Sequence, residues 1–169
     1  MRFYIIGFMG SGKTTLAKKV ASLLDLPLID LDAQIVENAG KSIPEIFSEF
    51  GESHFRALER NSLEDTKSIP SAIISCGGGA PCFGDNMDWM NKNGFTIFLN
   101  LPVGALADRL KNSKNKRPLL NDLKISLEEY ITEKLTEREP FYAKAQLIVP
   151  GIGLKPKELA EIIEIIEEG

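Results

Sequence analysis

Histidine is almost missing from this chain. His54 stands alone, and only two cysteines, Cys76 and Cys82, accompany it. The common zinc sites need several such ligands, so none can be assembled here. Two cysteines are also too few for a disulfide scaffold, and they fit a reducing compartment. No apolar run approaches the ~20 residues that span a bilayer. The opening Met1-Arg2-Phe3-Tyr4-Ile5-Ile6 meets a glycine loop without the longer apolar stretch or cleavage site of a signal peptide. These absences predict a cytoplasmic protein with no membrane partner. Arginine is scarce as well: only six of the 20 basic residues, against 24 acidic ones and a net charge of -4. That balance argues against a nucleic-acid binder held by phosphate attraction. Any anion must be bound locally, so the positions of Arg2, Arg56, Arg60, Arg109, Arg117 and Arg138 become informative.

The composition is otherwise that of a globular protein, and 169 residues suit one domain spanning 1–169. Short apolar runs at Phe3–Ile6, Leu28–Ile29, Ala72–Ser75, Thr96–Leu101 and Leu147–Val149 are continuous rather than alternating, as strands buried on both faces require. Helical patterns separate them: Thr14–Leu24, Asp85–Lys92, Val103–Lys111, a segment opened by the capping pair Ser126 and Glu129, and a last one with Leu159, Ile162, Ile163 and Ile166 on one face. Strand–helix alternation predicts a parallel sheet with helices on both sides. Two stretches interrupt it. Residues 32–67 hold three helical pieces in succession, and the polar, lysine-rich residues 112–124 read as a mobile excursion. Placed on a nucleotide-binding sheet, such segments close over a substrate.

Gly7-Phe8-Met9-Gly10-Ser11-Gly12-Lys13-Thr14 matches G-x-x-x-x-G-K-[ST], with an apolar strand before it and an amphipathic helix after. Glycines let backbone N–H groups wrap a phosphate chain at the positive end of a helix. Lys13 can reach the β- and γ-phosphates, and the Thr14 hydroxyl can coordinate Mg²⁺. The motif implies ATP or GTP with magnesium. A GTPase would need Asn-Lys-x-Asp, but the two Asn-Lys pairs continue as Asn93-Gly94 and Arg117-Pro118. A motor or transport ATPase would end a strand in Asp; the third strand ends Ser75-Cys76-Gly77. A small-molecule kinase is left.

The acceptor side starts at Asp30-Leu31-Asp32, two carboxylates at the C-terminal end of the second strand, where open α/β sheets bind ligands. Two residues apart on an extended segment, they would point the same way. One could hold magnesium through water and the other accept a hydrogen bond from an attacking hydroxyl, or Asp32 could cap the following helix. Gly77-Gly78-Gly79 leaves bare backbone at the end of the third strand, suited to a close ligand or to a tight turn. Arg60 and Arg2 read as solvated charges, His54 as surface, and both cysteines as buried fillers.

The P-loop, Asp30-x-Asp32, Gly40-x-x-Ile43, Ile46-Phe47, Gly51-Glu52-x-x-Phe55-Arg56-x-x-Glu59, Gly77-Gly78-Gly79, Arg117-Pro118-Leu119-Leu120 and Arg138-x-Pro140-x-Tyr142 occur in this order. Together they resemble shikimate kinase, over nearly the whole chain. The resemblance implies the P-loop fold of the nucleoside-monophosphate-kinase-like group: an α/β three-layer sandwich with a five-stranded parallel sheet, a substrate-binding helical insertion and a mobile lid. It implies transfer of the ATP γ-phosphate to the 3-hydroxyl of shikimate, with Mg²⁺, by a monomeric enzyme of the route to chorismate. By motif position, Gly10, Ser11, Gly12, Lys13, Thr14 and Thr15 would bind ATP, joined by Arg109 on adenine and Arg117 from the lid. Arg56 and Arg138 would grip the substrate carboxylate, with Gly77, Gly78 and Gly79 beside it and Phe47 and Phe55 as walls. Asp32 is the candidate base, Asp30 the residue beside magnesium through water, and Glu59 the residue that orients Arg56. The catalytic group would be Lys13, Asp32 and Arg117. Two other readings remain open: a gluconate or nucleotide kinase of the same group, and a regulatory nucleotide-binding module without catalysis.

Overall fold

The computed structural model describes residues 1–113 and 123–169. Arg117 and most of the expected lid therefore lie outside the described residues. Among these, five parallel strands form one sheet in the order β2-β3-β1-β4-β5. They are β1 (Arg2–Ile6), β2 (Leu28–Asp30), β3 (Ala72–Ser75), β4 (Phe95–Asn100) and β5 (Leu147–Pro150). Seven α-helices flank them: α1 (Lys13–Leu23), α2 (Leu31–Ala39), α3 (Ile43–Asp65), α4 (Asn86–Asn93), α5 (Val103–Lys111), α6 (Leu127–Tyr142) and α7 (Pro156–Glu168). Each expected strand and helix is present, with ends displaced by a residue or so. No helix among the described residues is long and apolar enough to cross a membrane.

The alternation of β1 explains the three layers. Phe3 and Ile5 point into one core, with Ala17 and Val20 of α1 and Leu159 and Ile163 of α7. Tyr4 and Ile6 point into the other, with Leu63 of α3, Met87 and Met90 of α4 and Tyr142 of α6. All four strand residues are completely buried. Side chains two apart share a face, so a strand between two helical layers must be apolar at every position. The α7 stripe packs as its period predicts, with Leu159, Ala160 and Ile163 inward.

Between β2 and β3 the chain makes α2 and α3, which share a small apolar cluster of Ile35, Ile46 and Phe55, with Phe47 against it. Gly51, at φ 81° and ψ 173°, breaks α3 internally, so residues 32–67 do contain three helical pieces. Ser42 and Glu45 form a capping box at the start of α3, and Ser126 and Glu129 form the expected one on α6.

Three expectations need correction. Asp30 and Asp32 do not share an extended segment: β2 ends at Asp30, whose Oδ1 caps α2 by accepting from Ala33 N at 3.1 Å, and Asp32 lies in the first helical turn. The cap is thus Asp30 rather than Asp32. Arg2 is not a loose terminal charge. It donates to the carbonyls of Asn93, Lys67 and Ile69 at 2.7–2.9 Å, satisfying acceptors at chain reversals. Arg60 is not simply solvated either, since it binds Glu64, Asp85 and Asn86. His54 is exposed as expected. Cys76 is buried but Cys82 only half so.

Candidate active site

All five strands are parallel, so their C-terminal ends open on one edge, and the chemistry-bearing loops gather there. β1 leads into the P-loop, where Gly10 and Gly12 adopt φ of 78° and 86°, backbone that L side chains rarely enter. The Gly12 turn starts α1 and aims its first N–H groups into the loop. Lys13 Nζ donates to the Phe8 carbonyl at 3.4 Å across that loop. Arg109, from α5, donates to the Ser11 carbonyl at 2.7 Å, so it braces the phosphate loop directly.

Two cavities flank this brace. One of about 280 Å³ is lined by Gly10, Gly12, Lys13, Thr14 and Arg109. The other, about 360 Å³, is lined by Ser11, Thr15, Arg109, Gly151, Leu154 and Pro156 among others. The second brings in residues 151–156, where sequence reasoning found no motif. Their signal was only positional: they follow the last strand of a parallel sheet.

The β2–β3 register places Asp30 beside Ser75, and the β3–β1 register places Ser75 beside Ile5. Ser75 Oγ lies 3.1 Å from Thr14 Oγ1. Two hydroxyls thus meet at the start of α1, with Asp30 next to Ser75 in the strand register. Hard oxygen donors of this kind suit Mg²⁺, which keeps several waters and takes few protein ligands. Among the described residues there is no cluster of three or more His, Cys, Asp or Glu that could cage a metal. The donor set therefore fits an ion held chiefly by phosphate and water. Ser75 had been read from sequence only as an aspartate that was lacking.

The acceptor side centres on Gly77-Gly78-Gly79. A Cβ on Gly77 would come within 2.9 Å of Asp32 Oδ1 and 3.2 Å of Glu59 Oε2. One on Gly78 would meet Arg138 Nη1 at 3.3 Å, and one on Gly79 would meet Arg56 Nη2 at 2.8 Å. Four charged side chains from α2, α3 and α6 thus crowd a turn that leaves little room for a side chain of its own. Glu59, 2% exposed, accepts from Arg56 Nη1 at 2.8 Å. Burial raises its pKa against the pull of Arg56, and the negative charge of Asp32 adds to the rise. Arg138 Nη1 is buried with no hydrogen-bond partner among the described residues. A buried guanidinium nitrogen left so is costly unless an anion completes it.

Phe47 and Phe55 lie 4.7 Å apart with rings tilted by 36°, and Arg56 is 5.1 Å from the Phe55 ring. The Cys82 thiol, pushed up to about 11 by burial, feels both Arg138 and Arg56 nearby. Sequence reasoning passed over Phe83, whose ring covers Arg56 and which sits in no motif. Of the predicted residues, Gly10, Gly12, Lys13, Thr14 and Arg109 line one cavity at the P-loop, Asp32, Arg56, Glu59 and Arg138 surround the glycine triplet, and Phe47 lies with Phe55 in the apolar cluster of the insertion. Arg117 alone lies outside the described residues.

A family model described as Shikimate kinase matches residues 9–167. The chain belongs to the shikimate kinase family. A shikimate kinase of Bacteroides thetaiotaomicron is 46% identical over 149 residues, covering 88% of this chain and 85% of the relative. The crystal structure of shikimate kinase from Bacteroides thetaiotaomicron superimposes with a TM-score of 0.91 at 40% identity, covering 100% of this chain and 99% of the other. The solved structure of shikimate kinase from Acinetobacter baumannii in complex with shikimate gives a TM-score of 0.86 at 31% identity, covering 99% of this chain and 93% of the other. Family membership makes the chain an ATP-dependent kinase, and the three-layer fold agrees with it.

Proposed function

We propose that this chain transfers the γ-phosphoryl group of ATP to the 3-hydroxyl of shikimate, giving shikimate 3-phosphate and ADP. The convergence of Arg56, Arg138, Asp32 and Glu59 on the glycine triplet supports this most strongly. Two arginines at one turn suit a carboxylate, because a planar fork can make two parallel charge-assisted bonds. The unpartnered Arg138 Nη1 supports the same reading.

In this reading the chain's own residues divide the work. Arg56 and Arg138 bind the carboxylate, Glu59 orients Arg56, and the backbone of Gly77, Gly78 and Gly79 with Phe47 and Phe55 shapes the ring pocket. Asp32 accepts the proton of the attacking hydroxyl as the new P–O bond forms and the bond to ADP breaks. Lys13 neutralises charge on the transferred group, and Arg117 is assigned the same task from its motif position alone. Gly10, Ser11, Gly12, Thr14 and Thr15 hold the phosphates, and Arg109 braces the loop beside the purine. Magnesium, held by Thr14 and through water by Asp30, would supply neutralisation of the phosphates. The chain acts as one kinase domain over 1–169 with an acceptor-binding insertion at 32–67, as a monomer in the cytoplasm.

The test is ADP formation with magnesium over a panel of shikimate, gluconate, nucleoside monophosphates and no acceptor. Turnover should require shikimate. Turnover of gluconate or a nucleotide in its place would overturn the reading, and so would acceptor-independent ATP hydrolysis alone.

A further inference from the structure

The Arg56 guanidinium lies under a ring that no motif contains. The Phe83 ring centroid is 3.7 Å from Arg56 Cζ, against 5.1 Å for Phe55. The other contacts of Arg56 leave its plane under-determined. Glu59 takes one short bond from Nη1 at 2.8 Å, whereas Nε and Nη2 reach Glu52 only at 3.4 Å. The Glu52 side chain is 57% exposed and so a weak anchor. One short bond fixes a point and permits rotation about it. A ring on the guanidinium face fixes the plane and leaves the N–H edges for a carboxylate.

The loop carrying Phe83 is itself held. The Phe83 carbonyl accepts from Asn86 N at 3.1 Å, and Asn86 Nδ2 donates to the Ala80 carbonyl at 2.9 Å. Asn86 is buried, and Arg60 Nη1 donates to its Oδ1 at 2.9 Å and to Asp85 at 2.6 Å. Arg60 follows Arg56 by one turn on α3. The same helix therefore presents Arg56 and anchors the loop that covers it. The Phe83 ring, 36% exposed, forms the solvent side of the guanidinium.

We infer that Phe83 is a positioning residue for acceptor binding, holding the plane of Arg56 and keeping water off the guanidinium–carboxylate pair. The inference rests on Arg56 being a carboxylate ligand, as proposed above.

Steady-state kinetics of Phe83→Ala, Phe83→Leu and Phe83→Tyr, with Arg56→Lys alongside, test it with shikimate and ATP varied separately. Removing a partly exposed cation–π contact should raise the shikimate KM about three- to tenfold in Phe83→Ala and Phe83→Leu. The ATP KM should be unchanged in both, and Phe83→Tyr should stay near the parent. If Leu substitutes as well as Tyr, Phe83 merely packs, and the inference is wrong. It is equally wrong if Phe83→Ala leaves the shikimate KM unchanged while Arg56→Lys raises it. Should Arg56→Lys itself leave that KM unchanged, the carboxylate reading of the site fails, and this inference with it.

Discussion

The Tyr142 hydroxyl donates a 2.6 Å hydrogen bond to the Gly78 carbonyl. That carbonyl and the Gly79 N–H belong to one trans peptide plane and point in opposite directions. Tyr142 thereby sets the aim of the Gly79 N–H, which flanking glycines would otherwise leave loosely determined. The phenol is pushed up to about 12 by burial, so it remains a donor at neutral pH, and its ring stacks on Phe98 at 4.6 Å.

Replacing that hydroxyl separates alignment from packing. Tyr142→Phe should cost about 1–2 kcal/mol of stability by leaving the carbonyl without its donor. It should also raise the shikimate KM several-fold at an unchanged ATP KM. Calorimetry and kinetics on the same preparation check both; a loss of stability with no change in shikimate KM would reduce Tyr142 to a packing residue.

Arg138 offers an opposite combination, lost binding without lost stability. Its buried Nη1 has no partner among the described residues, so an apolar replacement of similar length removes an unfavourable group. Arg138→Met should hold or raise the melting temperature while the shikimate KM rises roughly 10- to 100-fold, the range of one or two charge-assisted bonds. A lower melting temperature with unaltered KM would assign Arg138 to the framework.

Asp32 stands at the glycine turn, its Oδ1 2.9 Å from where a Cβ on Gly77 would lie. As the proton acceptor it should be indispensable to chemistry and dispensable to nucleotide binding. Asp32→Asn should lower kcat by about 10²–10⁴-fold, the usual worth of general base catalysis, with ATP affinity by calorimetric titration near that of the parent. Activity within tenfold of the parent would remove Asp32 from this role.

The raised pKa of Glu59 has a definite sign in stability. The folded protein keeps its proton at a pH where the unfolded chain, near 4.5, has released it. The stability this contributes is complete below the unfolded value and is lost as pH rises through the higher folded one. Glu59→Gln cannot titrate, so relative to this variant the parent should lose stability as pH climbs upward from about 4.5. Urea midpoints of both proteins between pH 4 and 7 measure it; a constant difference across that window would show that burial of Glu59 is compensated.

Much of the site was legible because its chemistry is written in contiguous residues. A phosphate loop is a run of backbone torsions, so Gly10, Gly12, Lys13 and Thr14 announce themselves by spacing alone. The capping pair Ser126 and Glu129 is legible for the same reason, since its partners lie one helical turn apart. Arg60 was misread because its decisive partners, Asp85 and Asn86, are 25 and 26 residues away. Arg2 was misread likewise, with acceptors 65 to 91 residues distant. The helix cap falls on Asp30 rather than Asp32 for a local reason: β2 stops at Asp30, two residues short of an extended segment that would carry both carboxylates.

The amino-acid sequence by itself determined the strands, the helices and the nucleotide loop, because periodicity, capping and positive-φ glycines act within a few residues. It also left six arginines in an acidic chain as the candidates for meeting an anion. Which of those arginines face a ligand and which brace the framework was decided only by the strand order β2-β3-β1-β4-β5. That order brings Asp32, Glu59, Arg56 and Arg138 from three separate helices to one glycine turn. It also lays Phe83 on Arg56. Contacts between distant segments depend on how the layers pack, and no local rule of spacing contains that information.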